Sequence, residues 1–121
     1  MSNDKEKRIA KQNDQFRKNC GVIKLEDQEI PGMYMMTQGI ANLSKTDQFE
    51  VIIKIRSYDD FNESNDPYEE HDFGAFELEE TKTKILWKIN YFDVNYEHGS
   101  EDPSNLSKTK RVLTAMLACE Y

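Results

Sequence analysis

The sequence contains few of the residues that cross-link a fold or break its secondary structure, with two cysteines, three prolines and five glycines among its 121 residues. Two cysteines cannot form a disulfide scaffold, and Cys20 and Cys119 lie outside any metal-ligand spacing, so we predict reduced thiols in the cytoplasm. The apolar runs are too short to cross a bilayer, and the N-terminus has no apolar core. We therefore expect neither a signal peptide nor a membrane partner.

Positive charge is also scarce. Lys and Arg number 16 against 23 Asp and Glu, which gives a net charge of −7. Non-specific attachment to DNA needs a basic surface, so this balance predicts no direct contact with nucleic acid. A hydrophobic content of 37% is low, but a chain of 121 residues can still bury a core without a metal. We predict one domain, residues 1–121, with no cofactor. The sequence does not define the oligomeric state.

The negative charge is concentrated in the middle of the chain. Residues 58–80 contain ten Asp or Glu and no Lys or Arg. Such charges repel one another by about 1 kcal/mol or less for each close pair in water. A solvated loop is the simplest explanation, and the functional alternatives are a cation site or a docking face for a basic partner, including imitation of a phosphate backbone. For the docking face, the candidate partner-binding residues are Asp59, Asp60, Glu63 and Glu69.

Hydrophobic spacing predicts the elements of the first half. A helix is expected over 4–18, with fraying over 1–12, because its few apolar residues recur at helical spacing. A short strand over 22–25 and a buried strand over 33–37 should follow.

The next element is ambiguous. Ser44 with Asp47 resembles a helix N-terminal cap, whereas the β-branched run 51–55 favours a strand. The cap leads us to predict a helix over 44–57. Residues 58–72 are then a long acidic loop, a kind of segment that is often functional in compact domains.

The second half should contain a hairpin. A strand over 73–78 is followed by a run over 85–92 in which apolar and polar residues alternate with a period of two. Trp87 lies in that run, on the face that carries Ile85 and Ile89, and should anchor the core.

The end of the chain has the spacing of a helix. Leu106, Leu113 and Leu117 share one helical face, which predicts a C-terminal helix with Cys119 as a small core residue. The complete order predicts an α+β fold, in which a small antiparallel sheet packs with about three helices in a single domain.

Residues 65–74 contain the highest density of side chains that could act in catalysis or bind a metal. A histidine beside carboxylates can act as a general base or a metal ligand, which makes a small metal-dependent hydrolase the alternative function. Its site would gather Asp66, His71, Asp72 and Asp93. However, neighbouring side chains of an extended chain point to opposite sides, and no complete metal-ligand set is visible. A structural role for His71 and Asp72, bonded to the loop backbone, is the competing interpretation.

Several blocks of the sequence resemble a bacterial family of small proteins of unknown function that is often carried on plasmids and other mobile elements. The similar blocks are residues 65–74, 87–93, 100–103 and 111–121, with shorter matches at Asn13-Asp14, Arg17, Thr37 and Gly39. The resemblance implies a shared fold and a mobile-element setting, and it assigns no catalytic residue.

These observations together favour a non-enzymatic binding protein from a mobile element. Its acidic loop would dock on a basic surface of a host protein or complex. Inhibition of a nucleic-acid-handling defence complex, such as a CRISPR effector, suits the small size and the negative charge.

Overall fold

The computed structural model of the chain describes residues 4–20 and 30–121. The short strand predicted over 22–25 lies outside the described residues. The regular elements, in chain order, are α1 (Asp4–Lys18), β1 (Gly32–Met36), α2 (Gln38–Ala41), α3 (Lys45–Arg56), β2 (Phe73–Glu77), β3 (Lys84–Phe92) and β4 (Lys110–Leu117). Single 3-10 turns, Leu106–Lys108 and Ala118–Glu120, flank β4.

The helices form where the sequence supplies a buried face and a cap. α1 buries Ile9 and Phe16, the two apolar residues seven positions apart. α3 begins after Ser44, whose Oγ accepts a hydrogen bond from the Asp47 N–H at 3.1 Å. The predicted cap is therefore confirmed, and a helix rather than a strand forms there. The short helix α2 was not anticipated.

The four strands form one sheet in the order β1-β4-β3-β2. β3 pairs antiparallel with both of its neighbours, which confirms the predicted hairpin. β1 instead runs parallel to β4. The α+β prediction is confirmed, but the sheet is mixed rather than wholly antiparallel.

The predicted C-terminal helix is wrong, because residues 110–117 form strand β4. β4 lies between β1 and β3, so side chains on both of its faces are buried and the alternation typical of a half-exposed strand is lost. A spacing of four residues, as between Leu113 and Leu117, keeps two side chains on one face of a strand as well as of a helix. The leucine pattern therefore did not distinguish the two.

The core lies between the sheet and the helices α1 and α3. Trp87 is its largest member and has no exposed surface. Its indole ring passes directly over Gly74, where an added Cβ would come within 2.4 Å of the indole Nε1. Tyr58 and Phe61 meet Trp87 edge to face, with ring centroids 5.5 and 6.3 Å away. The predicted core position of Trp87 is confirmed.

The two cysteines differ in environment. Cys20 is buried, and burial raises the pKa of its thiol to about 11. Cys119 is exposed, so its predicted place in the core is wrong. It lies in the 3-10 turn after β4, which Glu120 ties to the Thr37 hydroxyl and to the Gly39 N–H.

The free edge of β2 is partly covered by side chains from its own fold. The Tyr58 hydroxyl accepts a hydrogen bond from the Ala75 N–H at 3.3 Å. Lys54 donates from Nζ to the Glu77 carbonyl oxygen at 2.9 Å and forms ion pairs with Glu50 and Glu79. An outward-pointing N–H and an outward-pointing carbonyl of this edge strand thus have partners within the chain.

The sheet has two different faces. The inner face packs on the helices, as shown by Phe16 of α1 stacking on Tyr34 of β1 with ring centroids 4.6 Å apart. On the outer face, Met33 and Met35 are 40% and 53% exposed, since no described helix covers them. Among the described residues, no helix has the length and apolar character needed to cross a membrane.

Replacing Trp87 with Ala should lower the free energy of unfolding by about 3–5 kcal/mol, because it removes the largest buried side chain and leaves a cavity. Urea denaturation of the purified variant measures the loss. Tyr68→Ala is the matched control: Tyr68 is 71% exposed, so its loss should cost no more than about 0.5 kcal/mol. A loss below about 1 kcal/mol for Trp87→Ala would contradict the role of Trp87 as the core anchor.

Candidate functional site

The acidic loop, residues 58–72, contains no helix or strand but is internally braced. The Asn62 side-chain oxygen accepts hydrogen bonds from the N–H groups of Ser64 and Asn65, at 2.9 and 3.2 Å. The Asn65 side-chain oxygen accepts a hydrogen bond from the Asn62 N–H, and the Asn65 side-chain nitrogen donates to the Asp60 carbonyl oxygen at 2.8 Å. These amide side chains replace the missing secondary structure, so the loop has a defined shape.

Asp66 braces the second half of the loop. It is buried, and its Oδ1 accepts hydrogen bonds from the N–H groups of Glu70 and His71 at 3.0 and 3.1 Å. Both Glu69 and His71 adopt left-handed backbone conformations, with φ of 58° and 59°. Such conformations cost energy in residues other than glycine and persist only where surrounding contacts impose them. Asp66 supplies part of that constraint, a bracing role that the sequence had suggested for His71 and Asp72.

His71 is held between two carboxylates. Its Nδ1 lies 2.9 and 3.1 Å from the two carboxylate oxygens of Asp14 on α1. Its Nε2 lies 3.7 Å from Asp66 Oδ2, beyond hydrogen-bond distance. The imidazole also stacks on Phe61 with ring centroids 4.0 Å apart and an interplanar angle of 1°. Asp14 of α1 and Phe61 of the acidic loop thus fix the orientation of this ring.

This arrangement has definite chemical capacity. When the neutral imidazole donates from Nδ1 to Asp14, its Nε2 carries a lone pair and can accept a proton. A carboxylate that orients a histidine in this way is a recurring feature of general-base sites. Asp14 was not among the predicted catalytic residues, because it lies 57 positions from His71 in the chain.

A buried arginine attaches the loop to the helices. Arg17, one turn after Asn13 on α1, forms an ion pair with Asp14 and donates to the carbonyl oxygens of Ile55 and Tyr58 at 3.2 and 2.9 Å. Its guanidinium carbon lies 5.2 Å from the ring centroid of Phe61, a cation–π distance. The guanidinium therefore joins α1, the end of α3 and the start of the acidic loop.

The four predicted partner-binding residues, Asp59, Asp60, Glu63 and Glu69, are all exposed. None of their carboxylates forms an ion pair with another group in residues 4–20 or 30–121. These side chains are consequently available to solvent, while the backbone beneath them is held by Asn62, Asn65 and Asp66.

Two grooves lie on either side of the stacked Phe61 and His71 rings. One has a volume of about 570 Å³ and is bordered by the acids Glu63, Asp66 and Glu69. The other, of about 490 Å³, has mixed charge; its charged lining residues are Asp14, Arg17, Lys18, Arg56 and Asp59. The surface around His71 is therefore strongly negative on one side only.

The set proposed for a metal-dependent hydrolase is only partly brought together. Asp66 and His71 adjoin, and Asp72 follows directly, with a carboxyl pKa that burial and the nearby Asp66 raise. Asp93 lies in the turn after β3, where it accepts hydrogen bonds from backbone N–H groups that lower its pKa. The Asp72 carbonyl pairs with Ile89, so Asp93 is displaced by four residues, roughly 13 Å along the strand. Within the described residues, no three His, Cys, Asp or Glu side chains form a group suited to a metal ion.

A second polar network, beneath the loop, was missed by the sequence analysis. The fully buried Arg111 donates from Nε to Asn13 Oδ1 at 2.6 Å and from Nη2 to Gln12 Oε1 at 2.9 Å. Asn13 in turn donates to the Tyr91 hydroxyl at 2.8 Å, and that hydroxyl donates to Glu70 Oε1 at 3.1 Å. One signal was available, since Asn13 shares the helical face of Ile9 and Phe16 and is therefore a polar residue on an apolar face.

Glu70→Gln tests the electrostatics of this network. Burial, followed by repulsion from Asp72, raises the pKa of the Glu70 carboxyl above its ordinary value of 4.5. The folded state therefore holds the Glu70 proton more tightly than the unfolded state does. The stability that results is fully present below pH 4.5 and is lost as the pH rises through the raised value. Glutamine keeps an oxygen for Tyr91 but carries no charge, so the variant should exceed wild type in stability at pH 7 and lose that advantage at pH 4.

Urea denaturation of wild type and Glu70→Gln at both pH values measures this difference. Glu69→Gln removes an exposed carboxylate next to Glu70 and should give no comparable change between the two pH values. Equal effects of Glu70→Gln at pH 4 and pH 7 would show that burial does not perturb this carboxyl.

A family profile described as "Protein of unknown function (DUF3768)" matches residues 36–120. This region contains the whole acidic loop and strands β2 to β4, while Asp14 and Arg17 lie before it. No curated protein and no solved structure matches the chain. Because the profile covers more than half of the sequence, the chain belongs to the DUF3768 family, whose function is unknown.

Proposed function

We propose that the protein is a non-enzymatic binding module that docks its acidic loop on a basic surface of a partner protein. The observation that supports this function is the display of Asp59, Asp60, Glu63 and Glu69 on a hydrogen-bonded loop. These carboxylates are exposed and form no ion pair within the described chain. Residues 58–80 also contain no Lys or Arg that could neutralise them.

A braced loop is better suited to binding than a freely moving one. Ordering a loop upon association costs conformational entropy, and a loop that is already ordered avoids much of that cost. The Asn62 and Asn65 bonds and the Phe61–His71 stack provide this order in the unbound chain. The exposed charges would then accelerate encounter with a basic surface, over a range of about 8 Å at physiological salt.

The narrower proposal concerns the identity of the partner. A nucleic-acid-handling defence complex of a host, such as a CRISPR effector, has a basic surface that normally receives phosphate groups. Carboxylates spaced along a rigid loop can occupy such a surface in place of phosphates. This proposal also relies on the mobile-element setting that the family resemblance implies.

The test is a fourfold variant that replaces Asp59 and Asp60 with Asn and Glu63 and Glu69 with Gln. A partner is first captured from host lysate and purified, and the association rate is then measured at several salt concentrations. We expect at least a tenfold lower association rate and a weaker dependence on salt, because the steering charges are gone. Unfolding curves should match those of wild type, since these side chains make no contact that supports the fold.

The matched control neutralises four other exposed carboxylates, Glu77, Glu80, Glu97 and Glu101, by substitution with Gln. The change in net charge is the same, so a loss confined to the loop variant assigns the effect to the loop. Unchanged association rate and salt dependence in the loop variant would refute the docking surface. Competition between double-stranded DNA and this protein for the captured partner tests the narrower proposal, and simultaneous binding of both to the partner contradicts it.

A second candidate is a small hydrolase that uses His71 as a general base. The observation in its favour is the contact of His71 with both Asp14 and the edge of the acidic groove, in a strained backbone conformation. The side chain of Asp93 would take no part, because it lies in a separate turn. A divalent cation, if the reaction needs one, would have to be held by Asp66 and its acidic neighbours.

Hydrolysis of p-nitrophenyl ester and phosphate substrates, with and without magnesium, manganese or zinc, tests this candidate. We expect His71→Gln to abolish any turnover and His98→Gln, in an exposed turn, to leave it unchanged. Turnover that survives His71→Gln, or the same background rate in wild type and variant, would rule out His71 as the base.

A further inference from the structure

We infer that the outer face of the sheet binds single-stranded nucleic acid. This inference is independent of the proposed function, because it concerns the side of the molecule opposite the acidic loop. The strand register defines the residues of this face, which are mostly apolar or basic. They are Met33, Met35, Phe73, Ala75, Glu77, Lys84, Leu86, Lys88, Asn90, Phe92, Lys110, Val112, Thr114 and Met116.

The charge of this face is opposite to that of the whole protein. It carries Lys84, Lys88 and Lys110 but only one acid, Glu77, which lies opposite Lys84 in the antiparallel register. The net charge of −7 therefore belongs to the remaining surface, above all to the acidic loop on the helical side. The expectation that the protein avoids nucleic acid rests on the total charge, whereas binding depends on the charge of the surface in contact.

Aromatic rings adjoin these lysines. Tyr121 is 75% exposed, lies 6.1 Å from the Phe73 ring, and has the Lys88 ammonium 5.7 Å from its centroid. The half-buried Phe92 is the last residue of β3, and its ring centroid lies 6.4 Å from that of the exposed Tyr96. The two aromatic pairs are four strand residues apart, roughly 13 Å. Stacking of successive bases on such rings is a general mode of single-strand recognition.

A shallow groove connects the two aromatic pairs. It has a volume of about 520 Å³, and its lining includes two polar side chains, Asn90 between Lys88 and Phe92 on β3, and Thr114 opposite Lys88 on β4. An amide and a hydroxyl can donate to and accept from base edges, while Lys88 and Lys110 contact phosphates. Glu120 also borders the groove, where hydrogen bonds from Thr37, Gly39 and Leu117 stabilise its charged carboxylate. Three lysines then face two acids, Glu77 and Glu120, so the excess on this side remains positive.

The lysines also argue against a second copy of the chain as the occupant. Symmetric contact between two such faces would place the central Lys88 of both copies near one another, while the acid Glu77 lies opposite Lys84 in the register, four residues along β3 from Lys88. Unpaired like charges at an interface are unfavourable. An anionic ligand with flat apolar groups matches both the lysines and the rings.

Fluorescence anisotropy with labelled twelve-nucleotide oligo(dT) and oligo(U), at about 50 mM salt, tests the inference. We expect saturable binding that weakens steeply as salt is raised, because phosphate contacts release counterions. Lys88→Glu combined with Lys110→Glu should weaken binding at least tenfold. Phe92→Ala should weaken it about tenfold through the loss of one stacking ring. A difference between the two oligonucleotides identifies DNA or RNA as the preferred strand.

The control is Lys7→Glu combined with Lys11→Glu, which makes the same charge change on the exposed side of α1. Binding should survive in this variant, and thermal unfolding should verify that all variants are folded. Equal loss in the two double variants, or no saturable binding by wild type, would overturn the inference. A dimer in light scattering that Met35→Asp dissociates, without nucleic-acid binding, would assign the face to self-association instead.

Discussion

The buried guanidinium of Arg17 is the constraint on which the described structure depends. A cation removed from water costs several kcal/mol unless charges and acceptors compensate it. Here the compensation comes from Asp14 and from the carbonyl oxygens of Ile55 and Tyr58. Two of these acceptors lie where α3 ends, so the helix terminus obtains the donors that it needs. This one side chain therefore links α1, the end of α3 and the acidic loop.

The aromatic surroundings of Arg17 extend the same constraint to the surface. Phe61 contacts the guanidinium and also stacks on the His71 ring. The orientation of His71 and the path of the loop are therefore coupled to a buried charge. A disordered acidic segment would need none of these contacts. These buried polar contacts are consistent with a loop whose function depends on a fixed shape, either for docking or for chemistry at His71.

The sequence predicted the elements whose signals are local. The Ser44 cap and the period-two run through Trp87 both identify structure from adjacent residues, and both are confirmed. β4 was not predicted because a central strand that is buried on both faces lacks the alternation of apolar and polar residues. The leucine spacing, which fits both a helix and a strand, was therefore interpreted as a helix. The contact between Asp14 and His71 joins residues 57 positions apart, and no local pattern encodes it. The sequence analysis named Asp66 and Asp72 near His71, and the structure keeps both close to it. It also named Asp93, which lies in a separate turn, and it missed Asp14, which only tertiary contact brings to His71.

The side chains along β2 have a consequence for assembly. An uncovered edge strand presents a ladder of donors and acceptors to which another chain can add, and this is a common start of aggregation. In this protein the Tyr58 hydroxyl caps the Ala75 N–H and the Lys54 ammonium caps the Glu77 carbonyl. An incoming strand would have to displace both groups and separate Lys54 from Glu50 and Glu79. These contacts therefore oppose growth of the sheet beyond β2, while the acidic loop beside it stays accessible.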